Sequence, residues 1–184
     1  MPHNRAVFDW MDENLADVLP TDEIKSYLYV GWCRVTKEWW MTTLVSNLDI
    51  EKVGLLEVFK GNFDKFKAKN PGHVEATLGS IADFAKLYSK GQWDMVYWDH
   101  GPEHAESIEM LESVTETLKE YTKVILYACP WGSCPQKEMY GNSFEKHSVP
   151  IYEKHFLNMG MEVKTFGEVD TRAAGEIVAW WIKE

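Results

Sequence analysis

WDMVYWDHGPEH, residues 93–104, runs from an apolar, β-forming segment straight into a polar loop. Trp93 to Trp98 carries one charge, Asp94, and reads as a strand. Asp99, His100, Gly101, Pro102, Glu103 and His104 then break it at its carboxyl end. From Ala105 to Tyr121 the apolar residues Ile108, Leu111, Val114, Leu118 and Tyr121 recur at helical spacing between Glu and Lys. The order strand, polar loop, helix belongs to parallel α/β folds, whose ligands bind in the crevice outside the strand carboxyl ends. This segment is therefore the first candidate for one wall of a site.

Working outward, the same alternation repeats. Val7, Trp10, Met11, Leu15, Val18 and Leu19 form an amphipathic helix over residues 4–19, closed by Pro20. Strands are expected at Tyr27 to Gly31, Val53 to Val58, His73 to Leu78, Trp93 to Trp98, Val124 to Ala128, Glu162 to Phe166 and Glu176 to Ile182. Helices are expected between them: Trp39 to Leu48, Asn62 to Lys69 ending at the breaker Asn70-Pro71-Gly72, Ile81 to Tyr88, Ala105 to Tyr121, and Ile151 to Met159. This pattern predicts an α/β protein: a doubly wound, seven-stranded, mostly parallel sheet with helices on both faces. Glu168 to Gly175 is too short for a crossover helix, so the last strand should run antiparallel. No repeat or linker interrupts the chain, and residues 1–184 read as a single domain.

Composition narrows the function. The formal net charge is −10 with scattered lysines, which disfavours nucleic acid. A small-molecule or sugar ligand, or a protein, is the expected partner, and exposed aromatics would suit a homo-oligomer. No apolar run reaches the length of a membrane span, and MPHNRAVFDWMDEN lacks the basic start and apolar core of a signal peptide. The expectation is a cytoplasmic protein that does not bind membranes. Cys33, Cys129 and Cys134 form neither a disulfide framework nor a metal motif. His100, Glu103, His104, Glu145 and His147 match no metal-binding spacing either, so no metal is expected.

The order of elements, with a helix before the first strand and an antiparallel last strand, resembles the class I S-adenosylmethionine-dependent methyltransferases over nearly the whole chain. YLYVG, ending at Gly31, is similar to that family's first strand and glycine turn, and Glu57 stands at its acidic position after strand two. WDMVYWDHGPEH resembles the family's fourth motif, with Glu103-His104 as the Glu-His pair. PWGSCPQKEMYGNSFEKH, residues 130–147, is similar to the loop after strand five in a subset of these enzymes. The resemblance implies S-adenosylmethionine as cofactor, held by Gly31, Trp32, Cys33, Glu57, Val58, Ser80, Ile81 and Asp99. It departs most in the glycine motif, where Tyr29 occupies the acidic position and Cys33 and Val35 replace two of three glycines.

Each candidate has a physical rationale and an ordinary alternative. Glycine at the end of strand one permits close approach of a ligand. A carboxylate at Glu57 can accept both hydroxyls of a ribose, or be a solvated strand end. Ser80 stands where the family often has an acid bonding the adenine amine, leaving its hydroxyl and the Ile81 backbone for that task; Asp83 is a second candidate or an exposed helix residue. His104 is the candidate general base, or a helix N-terminal residue bonded to backbone. Gln136, Asn142, Glu145 and His147 lie in a long loop able to cover a site and select an acceptor, or knitted to itself. The leading expectation is a methyltransferase acting on a small-molecule or glycan-like acceptor. The alternative is a non-catalytic domain of the same fold, used for ligand binding or protein interaction.

Overall fold

The computed structural model describes residues 5–31, 49–69, 74–99, 107–130, 149–166 and 176–184. Their order is α1 (Arg5–Val18), a 3-10 turn (Thr21–Glu23), β1 (Ser26–Val30), β2 (Lys52–Glu57), α2 (Lys60–Lys69), β3 (Glu75–Leu78), a second 3-10 turn (Ile81–Asp83), α3 (Phe84–Leu87), β4 (Met95–Asp99), α4 (Ile108–Tyr121), β5 (Val124–Pro130), α5 (Val149–Asn158), β6 (Glu162–Phe166) and β7 (Glu176–Ile182). The seven strands make one sheet in the order β3-β2-β1-β4-β5-β7-β6. The first five run parallel. β7 is inserted between β5 and β6 and runs antiparallel to both. The doubly wound sheet and its reversed last strand are those expected from the sequence. The helix expected at Trp39 to Leu48 lies outside the described residues.

Alternation along each strand divides the apolar residues between two layers. Leu28, Val30, Leu56, Val96, Trp98, Ile125, Tyr127, Ile177 and Ala179 point to one face, where Phe84 of α3, Leu111, Val114 and Leu118 of α4, and Tyr152 and Phe156 of α5 cover them. Tyr27, Tyr29, Leu55, Met95, Tyr97, Leu126, Val178 and Trp180 point to the other, covered by Met11 and Leu15 of α1 and Phe66 of α2. Central strands buried on both faces read as continuous apolar runs, which is why YLYV and VILYA were legible as strands.

Most boundaries shift by one or two residues from those read in the sequence, and three differences have a visible cause. β4 begins at Met95 rather than Trp93. Asp94 is instead a knot below the strands: its Oδ2 accepts from the amides of Lys25 and Ser26 at 3.0 Å each and from the Ser26 hydroxyl at 2.9 Å, while its Oδ1 lies 2.9 Å from Lys123 Nζ. Its own amide donates to Ser26 Oγ at 2.8 Å. α4 begins at Ile108 because the extended backbone of Ser107 caps it, with Ser107 Oγ accepting from the Met110 amide at 3.1 Å. The helix expected over Ile81 to Tyr88 is a 3-10 turn followed by one α turn, capped by Ser80 and ended by extended Tyr88.

Candidate functional site

The carboxyl ends of β1, β2, β3 and β4 lie in one row. Val30 is the register partner of Leu56 on one side and of Trp98 on the other, and Glu57 is the partner of Leu78. One step beyond Val30, the Gly31 amide donates to the Leu56 carbonyl at 2.9 Å, and the Gly79 amide donates to the Glu57 carbonyl at 3.0 Å. The row thus brings together Gly31, Glu57, Gly79 with Ser80 beyond it, and Asp99, the last residue of β4. Gly31 has φ of +84°, so the chain leaves β1 through a left-handed turn that side chains beyond glycine rarely adopt.

Glu57 is the one buried carboxylate among the described residues, at 1% exposure. A buried charge requires charge-assisted hydrogen bonds. One comes from two residues along the chain: the Phe59 amide donates to Glu57 Oε1 at 2.7 Å. The Phe59 carbonyl accepts from the amides of Asn62 and Phe63, so the same residue opens α2. The carboxylate therefore sits at the positive end of that helix, where a negative charge is favoured. Around it the surface is apolar. Val58, Phe59 and Leu78 are 55%, 63% and 43% exposed, and they are three of the four large apolar side chains exposed among the described residues. They cluster along the chain at the ends of β2 and β3, on either side of Glu57.

Beyond β3, Ser80 Oγ accepts from the Ala82 amide at 3.2 Å. The Ile81 side chain is buried in the core, which leaves only its backbone to face a ligand. Asp83 pairs with Lys86 at 2.6 Å on the exposed surface. That hydrogen bond, with the carboxylate's charge, raises the Lys86 ammonium above its ordinary pKa.

Tyr29, two residues before Gly31, is wholly buried on the α1 face, its ring 5.4 Å from that of Tyr97. It supplies no carboxylate to the row. Asp94 lies at the opposite end of the strands. Burial would raise its pKa, but the hydrogen bonds from Lys123, the Lys25 and Ser26 amides and the Ser26 hydroxyl outweigh burial and hold it below the usual value. Its charge serves the fold.

Trp32, Cys33, His104, Gln136, Asn142, Glu145 and His147 lie outside the described residues, as does the side chain of Asp99. Phe59 and Leu78 were not singled out in the sequence. Their exposure is a tertiary property, although an apolar pair directly after an acidic strand end was a usable signal for Val58-Phe59. Among the described residues no cluster of three His, Cys, Asp or Glu side chains is placed to hold a metal ion, and no helix is long and apolar enough to cross a membrane.

No protein-family model and no curated protein matches the sequence. Solved structures do match the fold. A methyltransferase, provisionally assigned, in complex with the Haloferax volcanii Trm112 methyltransferase activator aligns with a TM-score of 0.60 at 11% identity, covering 97% of this chain and 92% of that one. A provisionally assigned sarcosine dimethylglycine methyltransferase of Galdieria sulphuraria aligns at 0.66 and 8% identity, covering 98% and 86%. A provisionally assigned S-adenosylmethionine-dependent methyltransferase of Listeria monocytogenes aligns at 0.64 and 11% identity, covering 97% and 99%.

Proposed function

From the fold of the class I S-adenosylmethionine-dependent methyltransferases, which this chain has, we propose that it is a methyltransferase of a small-molecule or glycan-like acceptor, working as a single domain. The observation that carries the reading is the side-by-side placement of the Gly31 turn and the buried Glu57 carboxylate, with exposed apolar residues at the ends of β2 and β3. These residues fit a nucleoside. Glu57 accepts hydrogen bonds from a ribose diol, Gly31 lets the backbone come close, and Val58 carries a purine face, with Ser80 and the Ile81 backbone at its edge. Trp32, Cys33 and Asp99 complete the cofactor set in this reading.

When bound, S-adenosylmethionine supplies a methyl group on a sulfonium, whose leaving group departs as a neutral thioether. The chain's own contribution is then mostly to align acceptor and methyl and to exclude water. His104 takes the acceptor's proton where one must leave, and Gln136, Asn142, Glu145 and His147 select the acceptor by hydrogen bonding. The loops bearing these residues follow β4 and β5, two neighbouring strands of the row.

Burial of Tyr29 in place of a carboxylate favours a second reading, a domain of this fold that binds a ligand or a protein without catalysis. The H. volcanii neighbour was solved with an activator protein, which makes a protein partner part of that reading. Titration calorimetry with S-adenosylmethionine and S-adenosylhomocysteine tests the first proposal. Binding of both with a saturable heat is the expected result. Absence of heat and of any thermal shift at millimolar ligand rejects the cofactor, and with it the enzyme.

A further inference from the structure

α1 and α2 cover the same face of the sheet, Met11 and Leu15 from one and Phe66 from the other, and they carry opposite charge. α1 holds Asp9, Asp12, Glu13 and Asp17 against Arg5, and α2 holds Lys60, Lys65, Lys67 and Lys69 against Asp64. In a chain of net charge −10, α2 is a basic island. The four acids of α1 and the four lysines of α2 are all exposed. With Met11 and Phe66 turned inward, helical spacing carries Asp9, Glu13 and Ala16 outward on α1, and Gly61, Asp64 and Ala68 outward on α2 with lysines flanking them. Gly61 opens onto free space, where an added Cβ would meet nothing within 4 Å.

Most of these charges are unspent. Lys60 pairs with Asp64 at 2.8 Å, but among the described residues Lys65, Lys67 and Lys69 make no ion pair, and neither do Asp12, Glu13 and Asp17. Crowding on α1 shows in Asp12: burial first, then the charges of Asp9 and Glu13, hold its carboxyl above the ordinary pKa. An anionic lipid surface or a phosphate backbone would answer α2 alone and be repelled by the acids on the same face. A second copy of the chain answers both helices. A two-fold axis roughly perpendicular to this face sets α1 of each copy on α2 of the other, so every contact is made twice. The net charges of two copies repel, but at physiological salt that repulsion is screened beyond about 8 Å, and pairs between packed helices lie within that distance.

We propose that this chain self-associates as a two-fold dimer in which the acidic ridge of α1 lies against the lysine-flanked face of α2 in a second copy. The interface is independent of the cofactor reading. Exposed charge pairs make it weak, with a dissociation constant on the order of 10 μM.

Sedimentation velocity of the full chain, at concentrations spanning that value, tests it. Wild type is expected to dimerise at about 0.15 M sodium chloride and to weaken by about tenfold or more at about 1 M. Lys65→Glu with Lys69→Glu, and separately Glu13→Lys with Asp17→Lys, should each weaken the dimer by about tenfold or more, because like charges then face each other. The chain carrying all four changes has the two charges exchanged and should return to within about threefold of wild type. Circular dichroism checks the fold of each variant, and where a reversal unfolds the chain the wild-type salt series decides. A wild-type chain that stays monomeric overturns the proposal, and co-sedimentation of that monomer with vesicles of phosphatidylserine and phosphatidylcholine, or with duplex DNA, assigns α2 to an anionic surface instead. A dimer indifferent to salt and to both reversals, or one that the fourfold exchange fails to restore, places the contact elsewhere and overturns it equally.

Discussion

Gly54 of β2 lies directly against the indole of Trp93: a Cβ added to Gly54 would stand 2.4 Å from Cη2 of the ring and 2.6 Å from Cζ2. The ring is pinned from its surroundings, with the Lys52 ammonium 4.0 Å from its centroid and Tyr88 edge-on at 6.0 Å. It has nowhere to retreat at small cost. The glycine in the middle of a buried strand, ordinarily a weakness, is here the space the tryptophan occupies.

Gly54→Ala should therefore destabilise the chain by about 2 kcal/mol or more, the cost of overpacking a filled core. Urea unfolding followed by tryptophan fluorescence measures it. Trp93→Leu in the same chain should recover part of the loss, since the two residues are in contact and their effects do not add. Full additivity would show that the glycine serves the backbone alone.

Asp94→Asn should cost about 2–3 kcal/mol at neutral pH, the scale of hydrogen bonds to a charged group. The native pKa of Asp94 lies below its unfolded value. Its contribution to stability is thus fully present above the unfolded pKa and is lost as pH falls through the native one. The gap between wild type and variant should be constant from pH 8 to about pH 5 and close below about pH 4, the range set by an unfolded carboxyl. Chemical unfolding across that range decides it; a gap unchanged at low pH would deny the charge its role.

Inside the first core layer, the Thr115 hydroxyl donates to the Leu111 carbonyl at 2.8 Å and stands 2.8 Å from the Tyr127 hydroxyl. Having spent its proton on Leu111, Thr115 is the acceptor from Tyr127. Thr115→Val and Tyr127→Phe should each cost about 1–2 kcal/mol, and together less than the sum. Thermal unfolding of the four members of the cycle gives the coupling.

Glu57→Gln removes the charge but keeps an oxygen for the Phe59 amide. Folding stability should fall by less than about 1 kcal/mol, because the local hydrogen bond survives in neutral form. Affinity for S-adenosylhomocysteine should fall about tenfold or more, the loss of one charge-assisted bond to a ribose hydroxyl. Calorimetry beside a urea melt separates the two effects, and unchanged affinity would remove Glu57 from the ribose position.

Much of the architecture was legible because central strands buried on both faces leave continuous apolar runs: Tyr27–Val30 and Val124–Ala128 stand out for that reason, Gly31 could be placed at the end of the first, and Glu57 was placed by the resemblance at the end of strand two. The boundary at Trp93 was not. What excludes Trp93 and Asp94 from β4 is the hydroxyl and amide of Ser26, sixty-eight residues earlier, and no local pattern announces such a partner. The short helix after Ser80 was overestimated because apolar spacing alone does not reveal that Tyr88 turns extended, its ring tilted at 54° against that of Phe84, 4.9 Å away. Val58 was named by the resemblance alone, whereas its exposure and that of Phe59 and Leu78 are properties of the folded chain.

The slot that β7 fills carries a consequence for synthesis. Among the described residues β6 pairs with the sheet only through β7, a strand that follows it in the chain. As the polypeptide leaves the ribosome, β6 has no described strand to pair with until residues through Ile182 have emerged, and the hydrogen-bonding edge of β5 that β7 takes stays open for the same interval. Vectorial translation thus gives this molecule a window of exposed sheet edge, during which pairing between neighbouring nascent copies competes with closure of its own sheet.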